Sequence, residues 1–124
     1  MVINFNPKYI PGDIVYSHKK EIIRITSSYL KGTKLFYYRD GENGCIREDA
    51  IKPIPLTPEI LKKNEWEYDG ATWIFKKGNI SIFILLDDKT YAAYLLGVRV
   101  LEFHFVHQLQ HLLFGLGIKH EMEV

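Results

Sequence analysis

Three features of the sequence predict a mainly β (α+β) protein, with an N-terminal SH3-like barrel over residues 1–55 followed by a β-meander with a packed C-terminal helix within residues 56–124. Turn signals recur at short intervals through the first half, and β-branched and aromatic residues fill the stretches between them. Apolar residues at helical spacing are confined to the region near the end. Aromatic residues make up 14% of the chain, with eight Tyr and seven Phe, and such rings pack well on pleated sheets.

The elements follow in order. "GDIVYS" (residues 12–17) reads as a strand opened by a Gly-Asp turn, and "EIIRITSS" (residues 21–28) as a β-branched strand. "KLFYYRD" (residues 34–40) follows a turn at Lys31 and Gly32, and "DGENG" (residues 40–44) is a loop signal. A short strand spans residues 45–47, and "EDAIKPIPL" reads as a helical turn leading to a last extended piece. "LTPEILKKN" (residues 56–64) is a short helix: Thr57 caps it, Pro58 takes the first position and Asn64 ends it. "EWEY" and "ATWIFKK" flank Asp69-Gly70, a two-residue hairpin signal. "NISIFILLDD", "TYAAYLLG" and "VRVLEF" complete the meander, and "HFVHQLQHLLFGLG" (residues 104–117) is a helix ended by Gly117.

The strands "ISIFILL" and "YAAYLL" are apolar at both alternating sets of positions, with Ile80, Ile82, Ile84 and Leu86 on one face and Phe83 and Leu85 on the other. A sheet with one wet face should alternate, so both faces are expected to be covered. The C-terminal helix can take one. The other falls to the barrel or to a second subunit, and a homo-oligomer is expected.

Composition excludes several classes. With 47% hydrophobic and 25% charged residues, the chain can build a core. A formal net charge of +1 lacks the basic excess of a long nucleic-acid binder. The single cysteine, Cys45, cannot form an intrachain disulfide. "MVINFNPKYIPGD" contains no apolar signal core, and the longest apolar stretches are too short to span a bilayer, so a cytoplasmic protein with no membrane association is expected.

His104, His107 and His111 fall within about 60° on a helical wheel, away from Phe105, Leu109, Leu112, Leu113 and Leu116, and are expected to face away from the core. Such spacing can bring imidazoles to one metal. The metalloprotease form needs H-E-x-x-H, however, and here residues 107–111 read "HQLQH", with Gln108 unable to act as the base. A solvated or hydrogen-bonding polar face of His107, Gln110 and His111 is expected, with no metal and no cofactor. No nucleophile elbow or phosphate-cradling Gly loop is present, so no enzyme is expected.

The remaining chemistry is aromatic and basic. Tyr37, Tyr38 and Arg39 share one strand, Arg24 and Arg47 lie on its expected neighbours, and Trp66 and Trp73 flank the hairpin. Rings stack on bases and guanidinium groups pair with phosphates. Arg24, Tyr38, Arg39, Arg47 and Trp73 are therefore the expected ligand-binding set, for a small nucleotide-like ligand. Aromatic residues dominate cores, however, so Tyr37 or Tyr38 and at least one Trp are expected to be simply core.

"PIPLTPEIL" (residues 53–61) and "FVHQLQHLLFGLG" (residues 105–117) resemble a family of small uncharacterised proteins encoded by phages and mobile elements of gut anaerobic bacteria. The likeness covers a barrel-like start, a linker, a meander and a terminal helix. His107, Leu109 and Gln110 match its helix motif, whereas at His111 the family more often has Asn. The resemblance implies that His107 and Gln110 do a polar job, such as capping backbone groups of an adjacent sheet. It implies no activity. It points to modules that sequester a host nucleotide to counter host defence, or that dock a host or phage protein.

Overall fold

The computed structural model describes residues 7–85, 87 and 89–124. The first six residues, Leu86 and Asp88 lie outside them, and with them part of the N-terminal segment and the last position of the expected strand face. The described chain is mainly β, with two antiparallel five-stranded sheets and a short C-terminal helix.

The first sheet is built from β1 (Ile14–Tyr16), β2 (Ile22–Lys31), β3 (Lys34–Arg39), β4 (Cys45–Arg47) and β5 (Lys52–Pro53), in the order β4-β3-β2-β1-β5. It does not close: β4 and β5 are its two edges. A 3-10 turn, Glu48–Ala50, carries the chain from β4 to β5. One face buries Tyr9, Val15, Ile23, Ile25, Tyr37 and Ile51 as a small core.

α1 (Pro58–Lys63) links the sheets. Its start follows from the sequence, since the Thr57 hydroxyl accepts the Ile60 N–H at 3.3 Å. Leu61 and the following Trp66 are buried in the main core.

The second sheet runs β10-β9-β8-β7-β6, an up-and-down meander. Its strands are β6 (Glu67–Asp69), β7 (Ile74–Lys77), β8 (Ile80–Ile84), β9 (Tyr91–Leu95) and β10 (Val98–Phe103). The β6–β7 connection is not the two-residue Asp-Gly turn expected from the sequence. Asp69 pairs with Ile74 as the last residue of the strand, leaving residues 70–73 as a four-residue loop. The Asp69 carboxylate accepts the Ala71 N–H at 3.0 Å, and Trp73 closes the loop in the left-handed region at φ 61°. Asp therefore acts here as a loop cap rather than as a turn corner.

Phe75, Ile80, Ile82, Tyr91, Ala93 and Phe103 form the inner face of this sheet and the main core. The outer face is mixed, not uniformly apolar: cross-strand register places Lys76 beside Ser81 and Tyr94, and Ile74 beside Phe83 and Ala92. The alternation read as apolar on both faces is broken by Ser81.

α2 (Val106–Gly115) joins the two sheets. Val106, Leu109 and Leu113 enter the main core, in company with Ile14 from β1 and with Ile54 and Leu56. Gln108 opens the helix by accepting the N–H groups of His104 (2.9 Å) and Phe105 (3.0 Å). His104 therefore precedes the helix, and the three-His stripe is broken at its first member. The helix ends where Gly117, at φ 71°, donates to Phe114 and Ile118 donates to Leu113, the paired bonds of a Schellman cap.

Candidate functional site

The pairing of β2 with β3 determines what the outer face of the first sheet carries. Tyr29 lies opposite Phe36, and Ser27 opposite Tyr38. β4 then sets Arg47 opposite Phe36 and Cys45 opposite Tyr38. Because side chains alternate along a strand, Tyr29, Phe36, Tyr38, Cys45 and Arg47 share one face, and Lys31 and Lys34 extend it at the hairpin end. The other face receives Tyr37, which is fully buried, so the expectation that one of Tyr37 and Tyr38 is core resolves in favour of Tyr37.

The rings form a continuous platform. Tyr29 stacks on Phe36 with centroids 5.3 Å apart and planes 15° off parallel, and lies against Tyr38, also at 5.3 Å. Tyr38 remains 39% exposed, which leaves ring surface open to a ligand. The Tyr29 hydroxyl lies 3.1 Å from the Cys45 sulfur, and that contact is the main reason its pKa is raised to about 12.

Beside the platform lies a cleft of about 540 Å³, lined by residues of β3, β4, the 3-10 turn and β5 together with Lys8. Four cations, Lys8, Lys34, Arg47 and Lys52, face two acids, Glu48 and Asp49. Arg47 is engaged by the Asp49 carboxylate, whose hydrogen bond holds the Arg47 pKa up and the Asp49 pKa down. Glu48 is turned inward by the Tyr37 hydroxyl, which donates to it and accepts the Tyr9 N–H at 3.3 Å. Burial and that bond raise the Tyr37 pKa. Lys34 and Arg47 belong to both platform and cleft.

Of the expected ligand-binding set, only Tyr38 and Arg47 meet here. Arg39 has a side chain 13% exposed and is held by Glu21 and Glu42 at 3.7 and 3.6 Å. Arg24 reaches the carbonyls of Gly12 and Met122 and lines a separate cleft beside the C-terminal residues. Trp73 is 68% exposed, near Tyr68 and Pro58 at the far end of the second sheet. The other Trp of that hairpin, Trp66, is buried. Tyr29 and Phe36 escaped sequence reasoning, although a signal was present. A hairpin centred on residues 32–33 pairs positions whose numbers sum to a constant, and that rule sets Tyr29 against Phe36.

The polar helix face has a different fate from the one expected. His107 and Gln110 are buried, and His111 is partly so. A wheel places polar residues toward water, but here the polar side of α2 meets the first sheet. The Gln110 side chain accepts the Ile14 N–H at 2.9 Å and donates to the carbonyls of Gly12 (2.8 Å) and His120 (3.0 Å). This is backbone capping of an adjacent sheet by Gln110 alone; His107, expected to share that job, has a buried Nδ1 with no hydrogen-bond partner among the described residues. Gly12 is required beside Gln110: its φ is 97°, and an added Cβ would sit 2.9 Å from the His120 ring. His111 Nε2 lies 2.6 Å from the carboxylate of Asp13, which is fully buried and also accepts the Ile10 N–H at 2.9 Å. His107 packs edge-on against Tyr9 at 5.0 Å, and burial, with smaller contributions from the His111 and Lys8 charges, lowers its pKa to about 4. Among the described residues no group of three or more His, Cys, Asp or Glu is placed to hold a metal ion. Nor is any helix there long and apolar enough to cross a membrane.

No family model, no curated protein and no solved structure matches the chain.

Proposed function

We propose that this protein is a non-enzymatic cytoplasmic binding module that takes a nucleotide-like ligand on the outer face of its first sheet. The base stacks on the platform of Tyr29, Phe36 and Tyr38, and the phosphate enters the adjoining cleft at Lys34 and Arg47. The observation that carries this reading is the sharing of those two cations between a partly exposed aromatic platform and a cleft with four cations and two acids. Base–ring stacking contributes roughly 1–3 kcal/mol per base, and a charge-assisted contact from Arg adds orientation. A net charge of +1 suits a compact ligand with few phosphates better than a long nucleic acid.

The first sheet is read as SH3-like, because a meander whose last strand follows a 3-10 turn and returns beside the first strand has that order. The resemblance to proteins of phages and mobile elements gives the binding a use, sequestration of a host nucleotide. The rival reading, docking of a host or phage protein through the polar helix face and the barrel edge, keeps only the edge strands β4 and β5, because His107 and Gln110 are buried. Self-association belongs to the proposal through the outer face of the second sheet, where Phe83 and Tyr94 make an edge-to-face pair at 4.8 Å. Light scattering at micromolar concentration gives a dimer mass if that face is used and a monomer mass if it is not.

The test of ligand binding is a thermal-shift screen against mononucleotides up to about a millimolar, since a ligand that binds only the folded state raises its melting temperature. Tyr38→Ala and Arg47→Ala should abolish the shift, while Arg24→Ala and Trp73→Ala should leave it intact. Absence of any shift, or a shift that survives both of the first two changes, overturns the reading. Cross-strand ring pairs also stabilise a sheet by about 0.2–1 kcal/mol, so binding and not stability is the readout.

A further inference from the structure

β5 has a cleft on either side. The cleft of about 540 Å³ described above includes Lys52 in its wall, and a second, of about 680 Å³, is lined by Tyr16, Ser17, His18, Lys20, Ala50 and Lys52. Lys52 is therefore common to both. Register supports this placement: β5 pairs with β1, with Lys52 opposite Tyr16, so the lysine stands beside the ring that walls the second cleft.

The two clefts differ in chemistry. The first combines four cations with two acids. The second contains no Asp or Glu in its lining, and its Tyr16 ring and Ala50 methyl group give it an apolar surface bordered by Lys20 and Lys52. An apolar wall with a ring and flanking cations is suited to a second base whose linking phosphate lies at Lys52. Both volumes fall within the usual range for small-ligand clefts, roughly 300–1,000 Å³. A mononucleotide seated at Arg47 leaves the second cleft unused.

We propose that the ligand class is a dinucleotide, with one nucleoside over the Tyr29–Phe36–Tyr38 platform and the second in the cleft of Tyr16, His18 and Lys20. The phosphodiester between them is held by Lys52. This inference rests on the nucleotide reading above.

Titration calorimetry separates the two. The probes are the four 5′-mononucleotides AMP, GMP, CMP and UMP and the matching linear 5′-phosphorylated homodinucleotides. The dinucleotide of at least one base should bind about tenfold or more tightly than its mononucleotide, because the second contact is made within one tethered ligand. Lys20→Gln and His18→Ala should remove that advantage and leave mononucleotide affinity as it was. Equal affinities for the two probe sets, or equal weakening of both by Lys20→Gln, overturn the dinucleotide assignment while the nucleotide reading stands. Failure of every probe, with a folded protein by circular dichroism, overturns both.

Discussion

The side-chain oxygen of Gln110, on the last helix, accepts the backbone N–H of Ile14, on the first strand, at 2.9 Å across 96 residues of chain. The same amide group donates to the carbonyls of Gly12 and His120, so one buried side chain completes three backbone groups from two segments. Buried polar groups left without partners are costly, and this is why a glutamine is found in the core.

Replacing Gln110 with Leu keeps much of the volume but orphans those groups. The expected loss is about 2–4 kcal/mol, from a desolvation penalty of roughly 1–3 kcal/mol for each buried group left unpaired, partly relieved by rearrangement. Urea unfolding monitored by Trp fluorescence measures it. A loss below about 0.5 kcal/mol, the scale of a surface substitution, would show that water takes over those bonds.

His107 gives stability a pH dependence. Its pKa in the folded protein is about 4, lowered from the ordinary 6.5 chiefly by burial. The unfolded chain therefore binds the proton more readily between those two values. Stability from this residue is fully present above 6.5, falls as the pH drops toward 4, and levels off below that. His107→Met should flatten the 4–6.5 limb of a stability–pH curve relative to the parent. An unchanged slope in that window would place the dependence on another group.

Asn64 holds the C-terminal residues. Its amide nitrogen donates to Glu123 O at 2.7 Å and to Ile60 O at 2.8 Å, and its oxygen accepts the Glu123 N–H at 2.8 Å. Lys63 reaches the Val124 carbonyl at 3.1 Å, and Met122 is buried in the main core. Asn64→Ala should raise amide exchange over residues 119–124 well before it affects β8 or β9. Uniform exchange across the chain would mean that the segment opens only with global unfolding.

The β9–β10 turn carries strain. Leu96, with φ 50° and 75% exposed, and Gly97, with φ 83°, form its two central positions. A branched side chain in the left-handed region costs roughly 1–2 kcal/mol, and Asn-Gly is the preferred pair for such a turn. Leu96→Asn should stabilise the protein by about 1 kcal/mol, read as a rise in the urea midpoint at constant slope.

Both helices and most strands were legible because local chemistry determines them: Thr57 and Pro58 start α1, Gly117 ends α2, and eight of the ten strands fall within segments read as extended, while β2 runs on to Lys31 and β6 to Asp69, both read as turn residues. The β6–β7 loop was misread because Asp-Gly supports either a two-residue corner or an Asx cap, and only the position of Trp73 distinguishes them. The orientation of His107 and Gln110 was hidden for a different reason. Amphipathicity ranks faces by polarity and assumes water beyond the polar one, whereas a helix set against a second sheet can use polar side chains as backbone partners. Of the proposed site, Tyr38 and Arg47 were singled out by residue type alone. Arg39 was not separable from them until Glu21 and Glu42 were seen beside it.

The reach of Gln110 and His111 back to residues 12–14 also bears on biosynthesis. A ribosome releases the first sheet's strands long before it makes α2, and until then Asp13 and the Ile14 N–H lack the partners that the finished protein gives them. The emerging N-terminal half already holds the residues of its own small core, Tyr9, Val15, Ile23, Ile25, Tyr37 and Ile51, while its edge strands β4 and β5 stay open. The bonds that Gln110 and His111 make to residues 12–14 can therefore form only when translation is nearly complete, so the earliest strand gains its last partners from the last helix to be made.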